Sequence, residues 1–146
     1  MKISIVSKYP IIKEGIISCL NESYNNVVYF KSLDNFIENF VDEDDNLVII
    51  TLFIEDLRSI ENISLLKNTY STIKLLIIDF NESKDIFFKL SKLKIDGYLL
   101  GTFAKEDINY AIKKIFTDGK FYDRELLYRL VEDEPADSIT SNKNPV

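Results

Sequence analysis

The sequence predicts an α/β fold, a doubly wound (βα)₅ domain in which helices sandwich a five-stranded parallel sheet. Five short apolar runs recur, with starts about 20 to 26 residues apart. Runs such as residues 47–50 and 75–78 are apolar on both faces, as strands covered by helices on each side must be. The runs are Ile3 to Val6, Val27 to Phe30, Leu47 to Leu52, Ile73 to Ile78, and Gly97 to Leu100.

The segments between and after these runs have the spacing of amphipathic helices, so strands and helices alternate and right-handed crossovers follow. The first segment runs from Pro10 to Glu22, and the second is capped by Ser32 or Asp34 and buries Phe40 and Val41. The third runs from Leu57 to Tyr70, with Leu65 on its apolar stripe. The fourth begins near Ser83, and the last runs from Lys105 to Thr117. Gly119 follows the last helix, at a position where glycine commonly ends helices.

Length and composition limit the function. The 146 residues suit one domain, and a hydrophobic fraction of 46% is enough for a core. There is no histidine, and the single cysteine, Cys19, reads as an inert core thiol, so most enzyme mechanisms and zinc sites lose their usual groups. With a net charge of −6, the chain does not have the excess of basic residues that is typical of nucleic-acid-binding proteins. With no long apolar stretch, we expect no membrane contact and a cytoplasmic protein.

The composition changes after about residue 130. Residues 131–146 are polar and acidic and contain two prolines, which is typical of a linker or tail. We therefore expect a folded domain over residues 1–130, followed by a linker. The acidic residues 42–45 are interpreted as a solvated connection.

The carboxyl ends of parallel strands are where open α/β sheets bind ligands. After the first predicted strand the sequence is Ser7-Lys8-Tyr9-Pro10, which lacks the glycines of a dinucleotide-binding turn. The only Gly-Lys pair, Gly119-Lys120, precedes Phe121 and therefore does not form a P-loop. Nucleotide binding by either motif is disfavoured.

Three segments carry a resemblance to a known family. Residues 5–15, IVSKYPIIKEG, resemble the opening of a response-regulator receiver (CheY-like) domain of the NarL/FixJ (LuxR-type) subgroup. Residues 95–100, IDGYLL, resemble that subgroup's Ala-Asp-Gly-Tyr-Leu-Leu-Lys segment, and residues 111–123 are similar to its last helix and following turn. The resemblance covers residues 2 to about 128 and implies the strand order 2-1-3-4-5.

The same resemblance identifies a degenerate phosphorylation site. A working receiver holds Mg²⁺ with an acidic pair and a phosphorylatable aspartate, because a hard cation needs oxygen ligands. Here Ser7 and Lys8 stand for the acidic pair, and Thr51 stands at the phosphoacceptor position. We therefore predict no Mg²⁺-dependent aspartyl phosphorylation, no metal and no cofactor.

Two further positions of the pocket are changed. Asp79 replaces the hydroxyl-bearing switch residue, with Phe80 beside it, and Gly101 replaces the expected lysine. Lys8 and Asp79 could form an internal ion pair, with the hydroxyls of Ser7 and Thr51 nearby. The alternative is that Lys8 extends into solvent and Asp79 caps the following loop.

Other interpretations of this region carry less weight. Glu55, Asp56 and Asp79 could together approach a cation, but they make a weak metal site without the acidic pair. Thr51 could be a kinase target, although a buried threonine at a strand end is more often structural. Tyr98 matches the family's aromatic switch position. In the family, the rotamer of this residue reports the state of the face formed by the fourth helix, fifth strand and fifth helix. The alternative is a half-buried structural tyrosine.

The resemblance implies an atypical receiver domain that controls transcription through phosphorylation-independent dimerisation or partner binding. We expect a homodimer through that face or through the first and fifth helices, and DNA contact only through a helix-turn-helix domain absent from this chain. The alternative is a stand-alone protein-interaction or small-ligand-sensing domain that uses the vacated pocket. An enzyme is disfavoured, because no strand end offers a nucleophile with a base.

Overall fold

The computed structural model describes residues 1–39, 46–53, 59–81 and 84–122. Six parallel strands form one sheet in the order β2-β1-β3-β4-β5-β6. The strands are β1 (Lys2–Val6), β2 (Val27–Phe30), β3 (Asn46–Leu52), β4 (Lys74–Asp79), β5 (Gly97–Leu100) and β6 (Phe121–Tyr122). The predicted α/β class and the order 2-1-3-4-5 are confirmed, with β6 added beside β5.

Helices connect the strands, and their ends follow local chemistry. They are α1 (Pro10–Cys19), α2 (Leu33–Asn39), α3 (Ser59–Thr69), α4 (Lys84–Ser91) and α5 (Lys105–Asp118). The Ser32 hydroxyl accepts a hydrogen bond from the Asn35 amide at 3.0 Å, so Ser32 rather than Asp34 caps α2. Gly119 ends α5 in the left-handed conformation (φ 91°), as predicted.

Helices on both faces of the sheet cover two apolar cores, which explains why the central strands do not alternate between apolar and polar residues. One core is centred on residues such as Phe36, Leu52 and Tyr98, and the other on residues such as Ile5, Ile49 and Ile112. Along β3, successive residues 47–50 are all buried. Both faces of the sheet are thereby covered, and the loops that follow the strands lie at its carboxyl edge.

Several expectations about the elements need correction. Helix α1 ends at Cys19, three residues before Glu22. Leu65 is 62% exposed, because it lies two positions from the buried Ile63 and so points away from that face of the helix. The pattern missed β6, whose two residues are too few to show a period.

Other predicted features fall outside the described residues. These are Phe40 and Val41 of the second predicted helix, the acidic residues 42–45, Glu55 and Asp56, and the 131–146 linker. Among the helices that the structure does describe, none combines the length and the apolar character needed to cross a bilayer.

Candidate functional site

The strand register places the predicted site residues along one edge of the sheet. Val6 pairs with Ile50, so Ser7 and Thr51 follow side by side at the ends of β1 and β3. Asp79 pairs with both Leu52 and Leu100, which places it beside the residue preceding Gly101. The carboxyl edge therefore brings together Ser7, Thr51, Asp79 and Gly101, four of the five pocket positions that the sequence indicated.

Two hydroxyls lie where the resemblance expected carboxylates. Thr51 Oγ1 and Ser7 Oγ are 2.8 Å apart and share a hydrogen bond, and both side chains are buried. The backbone carbonyl of Ser7 accepts a second bond from the Tyr29 hydroxyl at 2.8 Å. This hydroxyl pair is neutral and supplies no anionic ligand to a cation.

Asp79 is fully buried and is held by neutral donors. One carboxylate oxygen, Oδ2, accepts a hydrogen bond from the Tyr98 hydroxyl. The other, Oδ1, accepts bonds from the Asn81 backbone amide at 2.8 Å and from Asn81 Nδ2 at 2.9 Å. Tyr98 is itself fully buried rather than half-buried, and its hydroxyl is satisfied by Asp79, as the alternative of a structural tyrosine expected.

Lys8 does not occupy the place that the ion-pair hypothesis assigned to it. Its side chain is exposed, and its ammonium lies 5.8 Å from the centroid of the Tyr9 ring. The ion pairs between described residues do not include Lys8 with Asp79. Tyr98 and Asn81 take the position beside Asp79 instead, and the bond to the Asn81 amide matches the expected loop cap.

An aromatic cluster covers the rest of this edge. The Phe80 ring stacks on the Phe53 ring, with centroids 4.6 Å apart and planes 9° apart, and Tyr9 meets Phe53 edge-on at 4.9 Å. A Cβ atom at Gly101 would lie 2.3 Å from the Phe80 ring. Gly101 is therefore the small residue that lets Phe80 lie over the strand end, and any larger residue there would displace the ring.

Sequence reasoning missed three members of this site. Phe53 and Tyr9 sit in loops after different strands, so no periodicity links them. Asn81 follows Asp79 by two residues, a spacing typical of a side chain that hydrogen-bonds to a nearby backbone amide, and this signal could have indicated it.

A cavity of about 280 Å³ opens beside the hydroxyl pair. Its walls come from the ends of β1 and β3 and from the β2–α2 junction. The lining residues are Val6, Ser7, Lys8, Lys31, Ser32, Leu33, Ile50 and Thr51. Within the described part of the chain, no three histidine, cysteine or acidic side chains gather as metal ligands.

Solved structures similar to this one are receiver domains of response regulators. The isolated receiver domain of RcsB from Salmonella enterica serovar Typhimurium, in its apo form, has a TM-score of 0.77 and 25% identity over 91% of this chain and 99% of that one. RcsB in a structure of two dimers bound to two parallel DNAs has a TM-score of 0.72 and 22% identity, covering 90% and 68% of the two chains. A LuxR-family DNA-binding response regulator from Silicibacter pomeroyi has a TM-score of 0.65 and 16% identity, covering 86% and 99%.

No protein-family model matches the sequence, and no curated protein matches it either. At these identities the structural likeness establishes a receiver-type fold. The chemistry of the pocket must therefore be argued from the residues of this chain.

Proposed function

We propose that this chain is an atypical receiver domain that controls transcription by self-association, without phosphorylation. The observation that carries the proposal is the bond between Asp79 and the buried hydroxyl of Tyr98. In the family that the sequence resembles, this aromatic position changes with phosphorylation. Here a carboxylate of the chain itself already holds the tyrosine inward.

The rest of the pocket supports the same conclusion. An acyl phosphate needs an aspartate to form on and a cation to offset its charge. Thr51 and Ser7 present only hydroxyls, which hydrogen-bond to each other. At Gly101, the space that a side chain would occupy is filled by the Phe80 ring. The three parts of a phosphorylation site are replaced by a hydroxyl pair, an aspartate–tyrosine bond and an aromatic cluster.

Exposed apolar side chains favour one of the two expected dimer faces. Helix α5 belongs to both faces, so its exposed Tyr110 (51%) does not distinguish them. Ile11 and Ile17 of α1 are 79% and 37% exposed. On α4, by comparison, the exposed large apolar residue is Phe88, at 37%. Because exposed apolar area is what association buries, we propose the α1/α5 face as the dimer surface.

Sedimentation velocity over a range of concentrations, with and without Mg²⁺ and beryllofluoride, tests this function. We expect a dimer whose dissociation constant does not respond to the mimic. Ile11→Glu should weaken the dimer strongly, whereas the matched Phe88→Glu on α4 should not. A monomer that beryllofluoride converts to a dimer would contradict the proposal.

The tyrosine bond has its own test. Tyr98→Phe removes the donor to Asp79 and should destabilise the domain by about 1–2 kcal/mol, because a buried acceptor loses its partner. It should also shift the dimerisation constant, measured by sedimentation. Tyr122→Phe is the matched control, because Tyr122 lies on β6, outside α1 and α5. Equal effects of the two variants would argue against a role for Tyr98 in the output state.

The route to transcription would run through a DNA-binding domain linked to this one, and the structural neighbour RcsB is found as dimers bound to DNA. A second candidate function is small-ligand sensing. The cavity beside the hydroxyl pair is the observation that favours it.

A further inference from the structure

We infer that the cavity beside the hydroxyl pair binds a small organic anion through its carboxylate or phosphate group, without a metal ion. The inference gives a ligand class to the second candidate function, on which it rests. It does not depend on the dimer face. Four properties of the cavity support it: its charge, its free proton, its apolar wall and its size.

The charge of the lining is opposite to that of the chain. The sequence has 24 acidic against 18 basic residues, yet the described residues that line the cavity include two lysines, Lys8 and Lys31, and neither aspartate nor glutamate. Charges of one sign along a concave surface concentrate the field within it and attract the opposite ion. The site is therefore suited to an anion.

The hydroxyl pair supplies a donor. Ser7 and Thr51 together carry two hydroxyl protons, and the bond between their oxygens uses one of them. Among the hydrogen bonds of the described residues, the second proton has no acceptor, although Ser7 is 1% exposed and Thr51 is 4% exposed. A buried donor without a partner is costly, and an oxyanion in the cavity would accept this proton.

The remaining lining and the volume limit the ligand. Val6, Leu33 and Ile50 supply the apolar part of the lining. A volume of about 280 Å³ is at the lower end of the range for small-molecule sites. A small metabolite with one anionic end and a short apolar body fits this combination, whereas a nucleotide or a peptide is too large.

Titration of the whole chain followed by ¹H–¹⁵N NMR tests the inference. The probes are inorganic phosphate and butyrate, each added in the presence of EDTA and at an ionic strength held constant with NaCl. We expect saturable shifts at the amides of Ser7, Lys31 and Thr51. Saturation by phosphate alone would assign a phosphate end, and saturation by butyrate alone a carboxylate end.

Matched lysine variants distinguish binding in this cavity from non-specific attraction of anions to positive charge. Lys31→Gln should weaken binding by about tenfold, because a charged hydrogen-bond donor is lost. Lys113→Gln removes the same charge from the wall of a different cavity, next to Met1 and Asn109, and should leave the affinity unchanged. Ser7→Ala should weaken binding while the spectrum keeps the dispersion of a folded chain.

Three results would overturn the inference. They are shifts no larger than those produced by NaCl, equal losses in the two lysine variants, and binding that appears only when Mg²⁺ replaces EDTA. Sedimentation of the same samples keeps the two proposals distinguishable. Saturable binding with no change in association supports the anion site even if the dimer proposal fails.

Discussion

The two ends of the sheet each bury an aspartate, but the two aspartates have different hydrogen-bond partners. At the amino end, Asp96 Oδ2 accepts bonds from the Lys67 ammonium and the Leu75 amide, both at 2.8 Å, and Lys74 lies 3.9 Å from Oδ1. At the carboxyl end, the contacts of Asp79 among the described residues are with Tyr98 and Asn81, which are neutral. One aspartate has a cationic partner, and the other does not.

The ion pair of Asp96 joins several elements of the fold. Lys67 also donates to the Ile73 carbonyl at 2.6 Å, so the ion pair joins α3 to the start of β4 and to the residue before β5. A buried charge whose partner is removed is left uncompensated. The carboxylate of Asp79 is held instead by the Tyr98 hydroxyl and by the backbone and side-chain amides of Asn81.

The largest expected effect is at the amino end. Asp96→Asn leaves the Lys67 ammonium, whose side chain is 12% exposed, without its anion and should cost about 3–5 kcal/mol in the free energy of unfolding. Urea denaturation followed by circular dichroism measures it. The double variant Asp96→Asn with Lys67→Gln should recover part of the loss, and a cost below about 1 kcal/mol would mean that the pair behaves as a surface ion pair.

The next effect comes from packing at the carboxyl end. Gly101→Ala forces the Phe80 ring away from a Cβ atom 2.3 Å from it and should cost about 1–3 kcal/mol. Gly15→Ala is the matched control, since no atom lies within 4 Å of its added Cβ in α1, and it should stabilise the domain by about 0.5–1 kcal/mol. Losses of equal size in both variants would show that the aromatic cluster does not close this edge.

A smaller effect is expected at Asp79. Asp79→Asn keeps one carbonyl acceptor and loses about one hydrogen bond to a carboxylate, so the expected cost is about 1.5 kcal/mol. The same denaturation assay compares it directly with Asp96→Asn, which carries the identical chemical change. A cost at Asp79 as large as that at Asp96 would remove the contrast between the two ends.

The smallest effect is expected at Asp118, which is exposed and pairs with Lys114 one turn away in α5. The hydrogen bond and charge of Lys114 lower the pKa of Asp118, so its contribution is present above the ordinary aspartate pKa and is lost as pH falls. Asp118→Asn should leave the urea midpoint at neutral pH unchanged within error, since exposed pairs contribute little. A clear loss at neutral pH that disappears below the ordinary aspartate pKa would show otherwise.

The strands and helices of this protein were largely predictable from the pattern of apolar residues along the chain. Apolar runs that do not alternate indicated buried parallel strands, and the spacing between them indicated helices. Through the resemblance to receiver domains, Ser7, Thr51 and Gly101 at the strand ends predicted an edge without the acidic pair, the acceptor aspartate and the lysine of a phosphorylation site. The placement of these residues at the sheet edge needs only the chain's own order, because a residue that ends a strand lies at that edge wherever its neighbours go.

The tertiary structure decided which side chains meet at that edge. Asp79 and Tyr98 belong to adjacent strands 19 residues apart in the chain, and their contact depends on the register of β4 with β5. The aromatic cluster joins loops that follow three different strands. Periodicity shows which face of an element is buried, but a hydrogen bond or a ring stack depends on the direction and distance of groups on separate elements, and packing alone determines those.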